Sequence, residues 1–71
     1  MSAIIKWRNT YSGEEGFVEG TSTKDLCFFN TTDVSKAKVY SSEAIAKKTI
    51  RQLEGYGQGS TICNEFTVIA K

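Results

Sequence analysis

The chain has 71 residues and a mass of 7.9 kDa; it is 39% hydrophobic and 24% charged, carries a net charge of +1, and contains neither histidine nor proline. A domain of this size buries only about 60% of the surface its unfolded chain exposes, which argues for one thin core and against a deep enclosed pocket. The hydrophobic content excludes a disordered tail, no apolar run approaches the roughly 18 residues of a membrane span, and MSAIIKWRN lacks the long apolar segment of a secretory signal, so a cytoplasmic protein is expected.

From Ala3 to Asn9 the side chains alternate, with Ile5 and Trp7 on one face and Ile4, Lys6 and Arg8 on the other, the period of a half-buried strand. Tyr11-Ser12-Gly13 reads as a turn. Two further strands are predicted over Gly16 to Thr21 and Asp25 to Asn30, joined through the polar Ser22-Thr23-Lys24, so the first half of the chain reads as an antiparallel meander. Gly16 and Gly20 flank the second strand and mark a place for a bulge. After the turn residues Asn30-Thr31-Thr32, Asp33 is positioned to cap a single helical turn through Val34, Ser35 and Lys36, with Ala37 and Tyr40 facing the sheet.

Ser41 is the predicted cap of the main helix, which runs from about Ser42 to Glu54 with Glu43 in its first turn and Gly55 just past its end. At about 100° per residue, Ala46, Ile50 and Leu53 share one face, Ile45 and Thr49 flank it, and Lys47, Lys48 and Arg51 lie opposite. Gly55 to Ser60, GYGQGS, reads as a helix-to-strand loop. Its order, helix first and strand second, is the reverse of the placement that aims amide groups at a phosphate. Glu65 to Lys71 alternates again as a closing strand. The order β-β-β-α-β over residues 1–71 defines one α+β domain: a small antiparallel sheet, a three-stranded meander plus a C-terminal strand, packed against one helix.

Reaction chemistry is hard to find here. Without histidine, a catalytic dyad would need carboxylates, thiols or lysines at supporting spacings, and Glu14-Glu15 reads instead as a solvated turn. Cys27 and Cys63 cannot complete a four-ligand zinc site and read as small buried apolar groups, with a disulfide as the alternative. No catalytic residue, metal or cofactor is therefore expected. The charge is split along the chain: residues 1–34 carry three basic and five acidic groups, residues 35–71 six basic and three acidic, which suggests one acidic and one basic surface. Paired apolar residues such as Ile4-Ile5, Phe17-Val18, Phe28-Phe29 and Val68-Ile69 give the strands apolar groups on both faces. One helix covers only one face, and the excess points to an interface with another protein or a second copy.

The segment Asp33-Val34-Ser35-Lys36-Ala37-Lys38-Val39-Tyr40-Ser41-Ser42, followed by the helix through Ala46 and Ile50 and by Phe66-Thr67-Val68, resembles a class of small uncharacterised bacterial and bacteriophage proteins. Those proteins join a short sheet, a D-x-x-x-A-x-x-aromatic-x-S segment, an Ala-rich helix and an F-x-V-x strand. The resemblance covers most of the chain and implies caps and core, with no catalytic residues; it implies a phage or mobile-element accessory protein that binds a host or phage protein, inhibition of that protein being one form such binding takes. Ala3 to Asn30 is also similar to the three-stranded arm-type DNA-binding domains of tyrosine recombinases. The match departs at Glu19 and Asp25, and at Glu14 and Glu15 before them, whose charge opposes phosphate.

The sequence thus points first to a non-enzymatic protein-interaction module, with Trp7, Phe17 and Phe29 as anchors because large aromatics dominate interface energies. The alternative is nucleic-acid binding through Lys36, Lys38, Lys47, Lys48 and Arg51 on the basic helix side. A third reading is a structural subunit that self-assembles by edge pairing.

Overall fold

A computed structural model describes residues 2–22, 24–56 and 63–71. The elements in order are β1 (Ala3–Asn9), β2 (Glu15–Ser22), β3 (Cys27–Thr31), a 3-10 turn (Val34–Lys36), α1 (Glu43–Gly55) and β4 (Asn64–Ala70). All strand pairs are antiparallel and the sheet order is β3-β2-β1-β4. This is the α+β architecture expected from the sequence, with the meander intact and the last strand laid beside the first.

The β1–β2 turn is held by Asn9, whose side-chain oxygen accepts from the amides of Tyr11 and Ser12, both at 2.9 Å. Gly13 closes it at φ +78°, a left-handed conformation that glycine adopts without a Cβ penalty. Glu15 is already in β2, so the acidic pair Glu14-Glu15 is divided between the turn and the strand and is not wholly a turn. The β2–β3 ladder shifts register between Val18 and Gly20, which is the bulge the second glycine marked. Leu26, in the connection before β3, has φ +54° and is the non-glycine residue in that region among those described.

The β1–β2 ladder covers only Lys6–Phe17, Trp7–Gly16 and Arg8–Glu15. Beyond it the two strands part, and the segment after the 3-10 turn enters the opening. Its Lys38 amide donates to the Val18 carbonyl at 3.0 Å, and Tyr40 exchanges two backbone bonds with Ala3 at 3.0 and 2.7 Å. The 3-10 turn is capped by Asp33, whose carboxylate accepts from the Ser35 amide at 2.9 Å and the Ser35 hydroxyl at 2.7 Å. The hydroxyl and then the amide hold the Asp33 carboxyl below its ordinary range.

The cap of α1 is Ser42, not Ser41: its backbone is extended and its hydroxyl accepts from the Ile45 amide at 3.2 Å. Gly55 belongs to the last turn of the helix and Tyr56 follows it as the C-cap. Ala46 and Leu53 are fully buried against the sheet, with Ile50 and Tyr56 packed beside them. The core comprises these residues with Ala3, Ile5, Trp7, Val18, Phe28 and Tyr40. Phe28 stacks edge-on against Phe66 at 5.2 Å between centroids and tilts against Trp7 at 6.4 Å. Burial pushes the Tyr40 phenol above its ordinary value, a shift that the nearby Thr49 hydroxyl partly opposes. The expected GYGQGS loop extends over residues 57–60, which lie outside the described residues.

Candidate functional site

Because Ile5 and Trp7 point to the helix, the alternation of β1 sends Ile4, Lys6 and Arg8 to the opposite, helix-free face. Cross-strand register adds Glu15 and Phe17 from β2 and Glu65, Thr67 and Ile69 from β4. Phe29 of β3 pairs with Gly20, and a Cβ built on Gly20 would meet the Phe29 ring at 3.8 Å, so both occupy this outer face. Val39 alternates with the buried Tyr40 and lies on the same side as Ile4; it is 49% exposed.

Two chemistries share this face. Around Lys6 and Arg8 there is a groove of about 340 Å³ whose charged rim is Lys6, Arg8, Glu15 and Glu65. Lys6 Nζ is 3.3 Å and Arg8 Nε 3.9 Å from the Glu15 carboxylate. Arg8 stands between Glu15 on one neighbouring strand and Glu65 on the other. Such exposed pairs stabilise the fold little, on the order of 0–1 kcal/mol. The rest of the face is apolar: Ile4 is 3% exposed, Phe17 and Ile69 are half-buried, and Phe29 is 53% exposed.

Of the three aromatic anchors read from the sequence, Trp7 is corrected. It is buried at 8% exposure on the helix side, lying over the bare backbone of Gly16, with its indole N–H donating to the Phe17 carbonyl at 3.1 Å. It is a core residue. Phe17 and Phe29 share the outer face on adjacent strands. Ile4, Ile69, Val39 and the Lys6-Arg8-Glu15-Glu65 cluster were not singled out as a site, although the period of β1 already assigned Ile4, Lys6 and Arg8 to one face.

Lys36, Lys38, Lys47, Lys48 and Arg51 are all exposed, and the last three occupy the solvent side of α1. Lys38 sits apart from them, with its ammonium 5.6 Å from the centroid of the Tyr40 ring. The outer sheet face carries as many carboxylates as cations at its charged end, so it offers no electropositive surface to phosphate. Cys27 and Cys63 are half-buried free thiols, not the buried groups expected. Among the described residues, no three His, Cys, Asp or Glu side chains converge as metal ligands, and no helix is long and apolar enough to cross a membrane. No protein-family description, curated protein or solved structure matches the chain.

Proposed function

We propose that the protein is a non-enzymatic protein-interaction module that binds a partner on the outer face of its sheet, with Phe29 and Phe17 as anchors and the Lys6-Arg8-Glu15-Glu65 cluster orienting the partner. The observation that carries this reading is Phe29: a phenylalanine 53% exposed in the middle of a strand, on a face left bare by the helix. Large aromatics beside charged rims are the usual composition of interface centres. The resemblance of the Asp33–Ser42 segment to small bacterial and phage proteins favours a host or phage protein as the partner, with inhibition as one form that the binding takes.

The test is capture from bacterial lysate by the immobilised protein, repeated with Phe29→Asp and with Lys48→Glu/Arg51→Glu. A specific protein retained by the parent and by the helix variant, and lost with Phe29→Asp at unchanged melting temperature, supports the sheet face. Loss with the helix variant alone, together with DNA binding that falls steeply with salt, would transfer the function to Lys47, Lys48 and Arg51. A large loss of stability in Phe29→Asp would return that residue to the core.

A further inference from the structure

β4 is an edge strand of unusual regularity for so small a sheet. All seven of its residues, Asn64 to Ala70, pair with β1 without a bulge, and it contains no proline. Natural edges are commonly shortened, twisted or charged to prevent pairing with another chain. The opposite edge, β3, is of that kind: five residues on a partner strand with a register shift. β4 has none of these devices except Glu65.

The directions of its backbone groups follow from two bonds at its ends. The Lys71 amide donates to the Ser2 carbonyl and the Thr10 amide to the Cys63 carbonyl, both at 2.8 Å. In an antiparallel ladder such bonds recur at every second residue, so Cys63, Glu65, Thr67, Ile69 and Lys71 turn their peptide groups toward β1. Asn64, Phe66, Val68 and Ala70 turn theirs outward, to an edge with which no strand pairs among the described residues.

We infer that this edge pairs with the same edge of a second copy, antiparallel about a two-fold axis through Val68, to give a closed dimer with one continuous eight-stranded sheet. In that register Val68 meets Val68 of the second copy, and Phe66 meets Ala70, a large side chain against a small one. Phe66, Val68 and Ala70 of each copy then form six interchain backbone hydrogen bonds, and Asn64 lies beyond the overlap. On the outer face Glu65 comes opposite Lys71 of the second copy, twice by symmetry. Among the described residues neither Glu65 nor Lys71 has an ion-pair partner within its own chain. A groove of about 390 Å³ runs beside β4, bordered by Glu54 of the last helical turn and by Glu65, Phe66 and Thr67. Lys71 of the second copy would stand on the Glu65 side of this groove. Sliding the pair to the neighbouring register would set Glu65 opposite Ile69 and leave Lys71 opposite Cys63, so charge and size select the axis at Val68.

Both partners contribute the same edge, so pairing consumes it and assembly stops at two copies. The contact is narrow, and the dimer is expected to exchange with monomer in the micromolar range or weaker, at about 10–100 µM. This inference uses the rim of the sheet and leaves Phe17 and Phe29 uncovered; it shares Glu65 with the outer-face reading, and Lys71→Glu and Ala70→Pro test it without altering that cluster.

The test is sedimentation equilibrium over a concentration series, with circular dichroism to verify folding. The parent mass should rise from 7.9 kDa toward twice that value and level off. Lys71→Glu and Glu65→Lys should each raise the dissociation constant about tenfold or more, by setting like charges opposite one another. An equimolar mixture of the two variants should recover association as a heterodimer, since every facing pair is again of opposite sign. Ala70→Pro, which removes an outward amide without touching the β1 ladder, should also weaken the dimer, and Phe29→Asp should leave it unchanged. A parent that stays monomeric, a mass that climbs past two copies, or a mixture that fails to associate would overturn the inference.

Discussion

Replacing Gly16 by alanine should destabilise the fold far more than one methyl group suggests. A Cβ on Gly16 would lie 2.6 Å from Cζ2 and 2.7 Å from Cε2 of Trp7, and 2.7 Å from the Thr31 carbonyl oxygen. Comfortable separations are about 3.5–4.0 Å. The Thr31 oxygen is backbone and cannot swing aside, so the indole must withdraw by about 1 Å. That withdrawal lengthens the bond from the indole N–H to the Phe17 carbonyl, now 3.1 Å, and disturbs the packing of Trp7 on Phe28. Overpacking of about 1–3 kcal/mol and a lost hydrogen bond of about 0.5–1.5 kcal/mol give a total near 2–4 kcal/mol. Against a total stability of about 4–11 kcal/mol for a domain of this length, the melting temperature should fall by about 10–30 °C. Gly20→Ala is the matched control, because its Cβ would meet Phe29 Cδ2 at an ordinary 3.8 Å. Thermal unfolding followed by far-ultraviolet circular dichroism and Trp7 fluorescence measures both. Equal melting temperatures for the two variants would refute the reasoning.

Ser42→Ala removes the acceptor of the Ile45 amide and should cost about 1 kcal/mol in chemical denaturation, whereas Ser41→Ala should be within about 0.5 kcal/mol of the parent. Leu26→Gly relieves a left-handed backbone that costs a leucine about 1–2 kcal/mol and should raise the denaturation midpoint, by less than that because glycine also loosens the unfolded chain. For Tyr40 the folded phenol has the higher pKa, so its burial stabilises fully below the unfolded value of 10.0 and is lost as pH rises through the folded value. Stability measured by urea titration should therefore decline above about pH 10. In Tyr40→Phe that decline should be smaller.

The element order was legible because each segment satisfies one period strongly: two residues in β1 and β4, three to four in α1. Boundaries drifted where neighbouring residues are chemically equivalent, as at Ser41 and Ser42, which only the geometry of the first helical turn distinguishes. The burial of Trp7 was implied by its alternation with Lys6 and Arg8, yet its cause is non-local: Gly16, on another strand, leaves the space that the indole fills. The place of β4 beside β1, and with it the identity of the open edge, depends on how the crossing α1 returns the chain. No local pattern in the last strand encodes that choice. The outer face was half legible, since alternation within one strand names the residues on a side but not which strands stand next to one another.

Ala3 pairs with Ala70 and Asn9 with Asn64, so the longest ladder in the sheet closes a loop containing almost the entire chain. Little of that closure is rewarded until the strands meet, and entropy opposes the meeting. The β1–β2 hairpin can form within microseconds, but alone it leaves Ile5 and Trp7 without Leu53, Val68 or Phe66 over them. The search for the β1–β4 pairing therefore sets the folding rate, which should fall in the slow, millisecond-to-second range despite the small size of the domain.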